Sequence, residues 1–415
     1  MKKIPILLAV AILALACKKE AGGLGSQQLT YEGAGIEVEE TRWLVVLHPE
    51  WEFGPRYERI DVTDWEPGED VVSLGEYGEY YPWQGEDTIE FRFENGYLWV
   101  NGRRVGVNLG IGELEASDVE NPEEIITAHV GWGQIPELKR FPNLITVKLS
   151  MRSFPREEKY HKSLEEIPEH VRVYVRTFPY DESWWQDPNI TDENLAVLAQ
   201  IKNLRGLNTI SDRLTDLGMR HLRRCKNLRS LNLIARRVTS CGLKYLADLY
   251  ELRELELTIG FVGNCGLRHL SKLANLRSLN LYPAKGISDA GLKHLGGLRN
   301  LRYLNLADAR IRGPGLRYLQ GLSGLKTLNL ASTPLKNSGL KHLEGLVNLR
   351  DLDLSDTHIG DEGLRYLQGL THLRWLWIIQ CEGVSDSGVA KLQKALPGCK
   401  IDHWGLLDVA PSYED

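Results

Sequence analysis

The chain has 415 residues, with 50 Lys and Arg against 56 Asp and Glu and a formal net charge of −6. Its six cysteines fall in no zinc-binding spacing, and no nucleophile elbow, phosphate loop or His-Glu-x-x-His is present, which excludes the chemistries those motifs carry. The modest total hides an asymmetry: residues 20–138 hold 26 acids, six arginines and no lysine, a charge of −20, whereas residues 139–415 carry +10.

The first residues, MKKIPILLAVAILALAC, place Lys2 and Lys3 before an apolar run from Ile4 to Ala16. This reads as an export signal over 1–16, too short to anchor stably across a bilayer. Ala14, Leu15 and Ala16 before Cys17 resemble a bacterial lipobox, with Ala14 departing from the usual Leu. That resemblance implies lipid attachment at Cys17 and a membrane-anchored envelope location, at the outer membrane or the cell surface. Ordinary cleavage or an uncleaved helix are the alternatives. Residues 17–28, rich in Gly, Lys and Gln, form a flexible tether.

Residues 29–115 read as a small, acidic, aromatic-rich β domain. Asn95-Gly96 and Asn101-Gly102 are two-residue hairpin signals, and 41–50 reads as another strand. Six of the eleven tryptophans precede residue 135. They fill a small core or, if exposed, stack on a sugar or a partner. Paired acids here could serve glycoside hydrolysis. The acidic segment 61–70 could bind calcium but lacks the EF-hand order of ligands.

The remainder repeats. Looser coils open the series, with Ala128 and Val130, Val147 and Leu149, and Val173 and Val175 in equivalent places. Eight regular coils then begin at Leu204, Leu228, Leu252, Leu276, Leu301, Leu325, Leu349 and Leu373, 24 residues apart except where Gly286 is inserted. Counting from each opening leucine, apolar places 1, 4 and 6 alternate with polar residues, the pattern of a strand with one face buried. Place 13 is an N-cap type in every coil, such as Asp216, Asn264 and Asp361, and is expected to cap the helix that follows. Places 16, 19 and 22 (Leu243, Leu246, Leu249) share one face of that helix. A fixed period of this length means a solenoid in which each coil needs its neighbours. The predicted fold is an α/β, right-handed solenoid over 120–404, with a parallel sheet on the concave face and short helices on the convex face, and a tail over 405–415.

The motif Ile287-Ser288-Asp289-x-Gly291-Leu292 resembles the leucine-rich repeat superfamily, especially its 24-residue bacterial form and the cysteine-containing coils of F-box partners. The resemblance covers roughly half the chain and implies a binding surface. Place 9, often Asn or Cys in that family, is mostly something else here, so the family's usual side-chain ladder is incomplete. No F-box-like segment precedes the repeats, so a ubiquitin-ligase role is unsupported.

On the strands, places 3, 5 and 7 point away from the core. The carboxy-terminal coils bring Tyr282, Tyr303, Trp375 and Trp377 to that face beside Asp351 and Asp353, the candidate ligand site. Exposed aromatics among polar groups mark interaction sites, although the two tryptophans could instead pack under the terminal cap. Place 2 is Arg or Lys in all eight coils, and place 17 is basic from Arg220 to Arg365. Like charges about 5 Å apart repel by roughly 0.8 kcal/mol per pair in water. Counterions and local carboxylates relieve this, or the acidic amino-terminal module docks on the basic edge. The His and Tyr column at place 18 reads as a half-exposed helix face. Cys241 and Cys265, both at place 14, could form a bridge in an oxidising compartment. The expected function is non-catalytic recognition of a protein or glycan at the envelope, without cofactor, metal or nucleic acid. An envelope hydrolase sited in the amino-terminal module, or an architectural surface protein, are the alternatives.

Overall fold

The computed structural model describes residues 190–403 continuously and, before them, a set of strands and shorter stretches between Trp43 and Thr177. The export signal, Cys17, the tether, the tail and the acidic segment's side chains lie outside the described residues. The chain divides into two compact units, residues 1–114 with 411–415, and residues 115–410.

The first unit contains a three-stranded antiparallel sheet in which β1 (Trp43–His48) lies between β2 (Arg56–Asp61) and β3 (Glu79–Trp83). It also contains β4 (Phe91–Glu94), β5 (Tyr97–Val100) and β6 (Arg103–Asn108). Glu94 faces Tyr97 across one antiparallel pair and Val100 faces Arg103 across the next. These antiparallel pairings are the ones the two Asn-Gly signals predict.

In the second unit, strands β7 (Thr127–Val130), β8 (Thr146–Ser150), β9 (Arg172–Thr177), β10 (Leu204–Ile210), β11 (Ser230–Thr239) and β12 (Glu254–Phe261) pair in parallel, each with the next in sequence. The series continues through β13 (Ser278–Asn280), β14 (Tyr303–Asn305), β15 (Thr327–Asn329), β16 (Asp351–Asp353), β17 (Trp375–Trp377) and β18 (Lys400–Asp402). The return segments on the other side include α1 (Asp192–Leu198), α2 (Asp216–Leu222), α3 (Asn264–Leu270), α4 (Asn337–Leu340), α5 (Asp361–Leu364) and α6 (Asp386–Ala395). Tighter 3-10 turns replace the helix at Gly242–Leu246, Leu292–His294 and Pro314–Leu319. This is a leucine-rich repeat solenoid.

Place-4 leucines sit in register: Leu231 faces Leu255, Leu255 faces Leu279, and Leu279 faces Leu304. Leu255, Leu279, Leu304 and the return-side Leu243, Leu246 and Leu249 are all at most 1% exposed. Burial of each apolar stripe thus depends on the coils above and below it.

Place 13 does something other than expected. In the coils whose return segment is an α-helix the residue before it is the N-cap: Thr215 accepts from Leu217 N–H, and Ser385 from Gly388 N–H, whereas in the Pro314–Leu319 segment Gly313 at place 13 is itself the N-cap. Place 13 instead reaches one coil forward. Asp216 accepts from the Thr239 N–H at 2.8 Å and the Thr239 hydroxyl at 2.7 Å, Asn264 from Ser288 N–H, Asn337 from Gly360 N–H, and Asp361 from Ser385 N–H and hydroxyl. The ladder begins one coil earlier than the regular repeats, where Asp192 takes the Thr215 N–H. It also explains the invariant Gly at place 15. A Cβ built on Gly242 would stand 2.6 Å from Asp216 Oδ1, and one on Gly363 2.7 Å from Asn337 Oδ1. The carboxylate or amide of one coil lies where the next coil's side chain would be.

The coils change character partway. In β13 to β16 the place-5 side chain turns back on its own chain: Asn280 accepts from Tyr282 N–H, Asn305 from Ala307, Asn329 from Ala331 and Asp353 from Ser355. Such Asx turns end a strand after three residues. In the longer β11 and β12, Asn232 donates instead to Glu256 across the strands at 2.7 Å. Place 8 then adopts a left-handed conformation at Asp308, Ser332, Asp356 and Gln380, with φ of 65°, 54°, 53° and 58°. Place 9 turns inward, where the Thr333 and Thr357 hydroxyls donate to Leu330 and Leu354 carbonyls and Cys381 Sγ lies 3.5 Å from Thr357 Oγ1. Threonine hydroxyls and one thiol thus supply part of the ladder that the place-9 sequence left incomplete.

Leu279→Ala should destabilise the solenoid by about 2–5 kcal/mol through lost burial and a residual cavity, whereas Leu217→Ala, at a side chain 63% exposed, should change it by less than about 0.5 kcal/mol. Urea unfolding followed by circular dichroism reads both.

Candidate functional site

Alternation fixes which side chains the strands offer. With places 4 and 6 held in the core, places 3 and 5 must stand on the opposite sheet face. Strand pairing lines them up as rows: Ser278, Tyr303, Thr327, Asp351, Trp375 and Lys400 at place 3, and Asn280, Asn305, Asn329, Asp353, Trp377 and Asp402 at place 5.

Four of the six candidate residues come together. Asp351 faces Trp375 and Asp353 faces Trp377 across β16 and β17. The two indoles stack with ring centroids 5.7 Å apart and planes 5° apart. Both are half-buried rather than fully open, and Lys400, from the terminal strand β18, places its ammonium 4.3 Å from the Trp375 ring centre. The terminal strand therefore flanks the pair without covering it. Tyr303 lies on the same row as Asp351, two strands away, and is half-buried. Tyr282 stands apart at place 7, four coils from Trp377, and is 51% exposed.

The aspartates are tuned by this setting. Burial raises the Asp351 carboxyl above the usual range, opposed by the Thr327 hydroxyl, which donates to it at 2.9 Å, and by Arg374 and Arg350. Burial likewise raises Asp353, opposed by hydrogen bonds from Ser355.

A second acidic pair on the same face escaped the sequence reading. Glu254 and Glu256 hold places 3 and 5 of one coil, as Asp351 and Asp353 do of another, and this Glu-Leu-Glu beside the Asp-Leu-Asp was the available signal. Glu256 accepts from Asn232 at 2.7 Å and from Asn280 at 3.2 Å, which ties three strands together. Glu254 accepts from the Ser230 hydroxyl at 3.0 Å. Burial pushes its carboxyl up to about 8, against the Ser230 hydrogen bond and the charges of Arg253 and Arg277. Carboxyl groups also stand beside the place-2 cations. The place-2 row, half-buried except at the exposed Arg374, runs beside Glu254 and Asp351, and Arg229 pairs with Glu251 at 3.5 Å. Local carboxylates serve that row.

The cysteines divide as their places require. Cys225, Cys381 and Cys399 are buried, and burial pushes the Cys225 and Cys399 thiols up to about 12, where they are poor nucleophiles. Cys241 and Cys265 are exposed and both are free thiols, so the place-14 bridge is not formed. Among the described residues, no group of three His, Cys, Asp or Glu side chains is arranged to hold a metal ion. The helical-face histidines are lowered by burial and then by the neighbouring Arg and Lys. Among the described residues, no helix is long and apolar enough to cross a membrane.

Residues 299–359 match the leucine rich repeat family. Among solved structures, internalin C2 of Listeria monocytogenes aligns at 24% identity over 51% of this chain and 81% of its own, with a TM-score of 0.38. A second internalin of that species aligns at 16% identity over 70% of this chain and 91% of its own, with a TM-score of 0.42. Curated proteins give no match.

The Glu254 shift has a defined consequence. Its folded pKa lies above the ordinary unfolded value, so the unfolded chain gives up this proton first as pH rises. The stability it contributes is complete below about pH 4.5 and falls away up to about pH 8. Glu254→Gln should therefore raise the melting temperature at pH 8 relative to wild type and leave it nearly unchanged at pH 4. Thermal melts across that range test the sign.

Proposed function

We propose that this leucine-rich repeat solenoid is a non-catalytic recognition protein whose sheet face binds a protein partner through the patch around Trp375 and Trp377. The observation that carries the reading is the juxtaposition of that stacked pair with Asp351 and Asp353 on adjacent strands. Aromatic anchors beside polar groups, on a rigid support, are what binding hot spots are made of. Trp375 already contacts Trp377 on one side and the Lys400 ammonium near its face. Sugar stacking needs an open ring face, so these contacts favour a protein over a glycan. Tyr303 extends the patch along its row, and Tyr282 offers a further aromatic contact.

The leader over 1–16 and Cys17 support an exported protein, held at the cell envelope by a lipid on Cys17. The division into a leader, a tether over 17–28, a β domain over 29–115 and a repeat domain over 120–404 belongs to the same reading.

Trp375→Ala combined with Trp377→Ala should reduce capture of protein from an envelope extract by about tenfold or more, as loss of central aromatic anchors does, while the melting profile stays cooperative. A glycan panel run in parallel decides the ligand class. Undiminished capture by the folded variant would remove the patch, and wild-type binding to glycans alone would remove the protein reading.

A further inference from the structure

The opposite face of the solenoid carries a pattern that sheet-face recognition does not use. Place 17 is a cation in seven successive coils, from Arg220 through Lys244, Arg268, Lys293 and Arg317 to Lys341 and Arg365, and each of them is exposed. The place-2 row has carboxylates beside it along its length, whereas this row has them only near its two ends. Among the described residues, the ion pairs on the molecule's surface, such as Arg223–Asp248 and Arg236–Asp212, both at 3.5 Å, involve other cations. Glu193 stands near one end of the row, beside Arg220, and Glu344 and Glu362 near the other, beside Arg365. Between these ends the charges that reach His269, His294 and His342 all come from Arg and Lys.

The cations are also held in place. In four of the seven coils the ring at place 18 contacts the cation that precedes it. Arg317 donates to the Tyr318 hydroxyl at 2.9 Å with its guanidinium 4.8 Å from the ring centre, and Arg365 does the same to Tyr366 at 2.7 Å and 4.7 Å. Lys244 lies 4.8 Å from the Tyr245 ring centre, and Arg220 donates to His221. These half-buried rings hold those four cations in place along the row, which lowers the ordering cost of binding.

We propose that this single file of cations is a binding site for a linear polyanion, a polymer bearing one carboxylate or phosphate per monomer. One cation per coil at a constant repeat matches a chain of regularly spaced charges better than a broad plane of them. A single file of charges suits a polymer along its whole length, whereas an anionic membrane presents a plane of charge of which one file would use only a strip. The cations in the middle of the row, where no acid reaches, gain most from such a ligand, because binding releases its condensed counterions.

The test uses the full chain with polygalacturonate and inorganic polyphosphate as probes, at low and at physiological ionic strength. Both interactions should weaken steeply with salt. The triple variant R268Q/K293Q/R317Q should lose about tenfold in affinity and show a shallower salt dependence. A charge-matched control, R213Q/R237Q/R312Q, removes three exposed cations elsewhere and should stay close to wild type. Binding of one polymer and not the other identifies carboxylate or phosphate as the ligand group. Failure to bind either polymer would overturn the proposal. So would equal weakening in both triple variants, or row-dependent binding to phosphatidylglycerol vesicles without polymer binding.

Discussion

A coil of two dozen residues has too little volume to hide its own leucines, so every coil depends on contact with the next. That dependence runs through two columns of different chemistry. Leucines at places 1, 4, 6, 16, 19 and 22 provide an apolar interior shared across coil boundaries, and place-4 side chains stay in register from β11 onward. Beside them, the place-13 oxygens accept the next coil's backbone N–H, with glycine at place 15 giving them room. Hydrophobic burial is non-directional and tolerates slippage. The polar column is directional, and fixes the rotation of one coil upon another.

This division of labour explains what the chain discloses before it is folded. Leucine periodicity gives the strand and the return face without ambiguity, because each place has one buried direction. The antiparallel pairing of β4, β5 and β6 is equally plain, since Asn-Gly is the strongest short hairpin signal a sequence carries. Place 13 was readable as to residue type but not as to target. An Asp ahead of a helix can accept from its own helix or from a neighbour, and the adjacent Thr or Ser, as at Thr215 and Ser385, supplies the cap just as well. Only the stacking of coils decides between these, and the glycine two places on was the overlooked sign. The candidate site was legible as a row and not as an environment. Sequence put Asp351, Asp353, Trp375 and Trp377 on one face, yet their half-burial and the Lys400 contact depend on the width and neighbours of the strands. The Glu254 and Glu256 pair was missed because two acids in one coil look like solvated charge until the surrounding arginines, serine and asparagines enclose them.

Place 5 shows how a repeat can change its outer surface without disturbing its core. Where Asn or Asp folds back on the backbone, the strand stops at three residues, and one side-chain oxygen is committed to structure. Where Glu256 links Asn232 and Asn280, the same place stitches three strands together. At Trp377 it does neither, and a large amphipathic ring is left on the sheet face. The surface is therefore least committed to the solenoid's own stability at the carboxy-terminal coil, where the aromatic pair occurs.

The two faces also differ in how they treat charge. On the sheet face, arginines at place 2 and carboxylates at place 3 are half-buried together, and desolvation holds Glu254 and Asp351 toward their neutral forms while the arginines draw them back. Such a surface selects by shape and hydrogen bonding at short range. The return face keeps its cations in water, one per coil and four of them braced by rings, so its field reaches outward and adds along the row. A single sequence period thus builds a short-range, specific face and a long-range, polyvalent one. Because the same leucines set the spacing of both, shifting one coil's register would disrupt the two faces together.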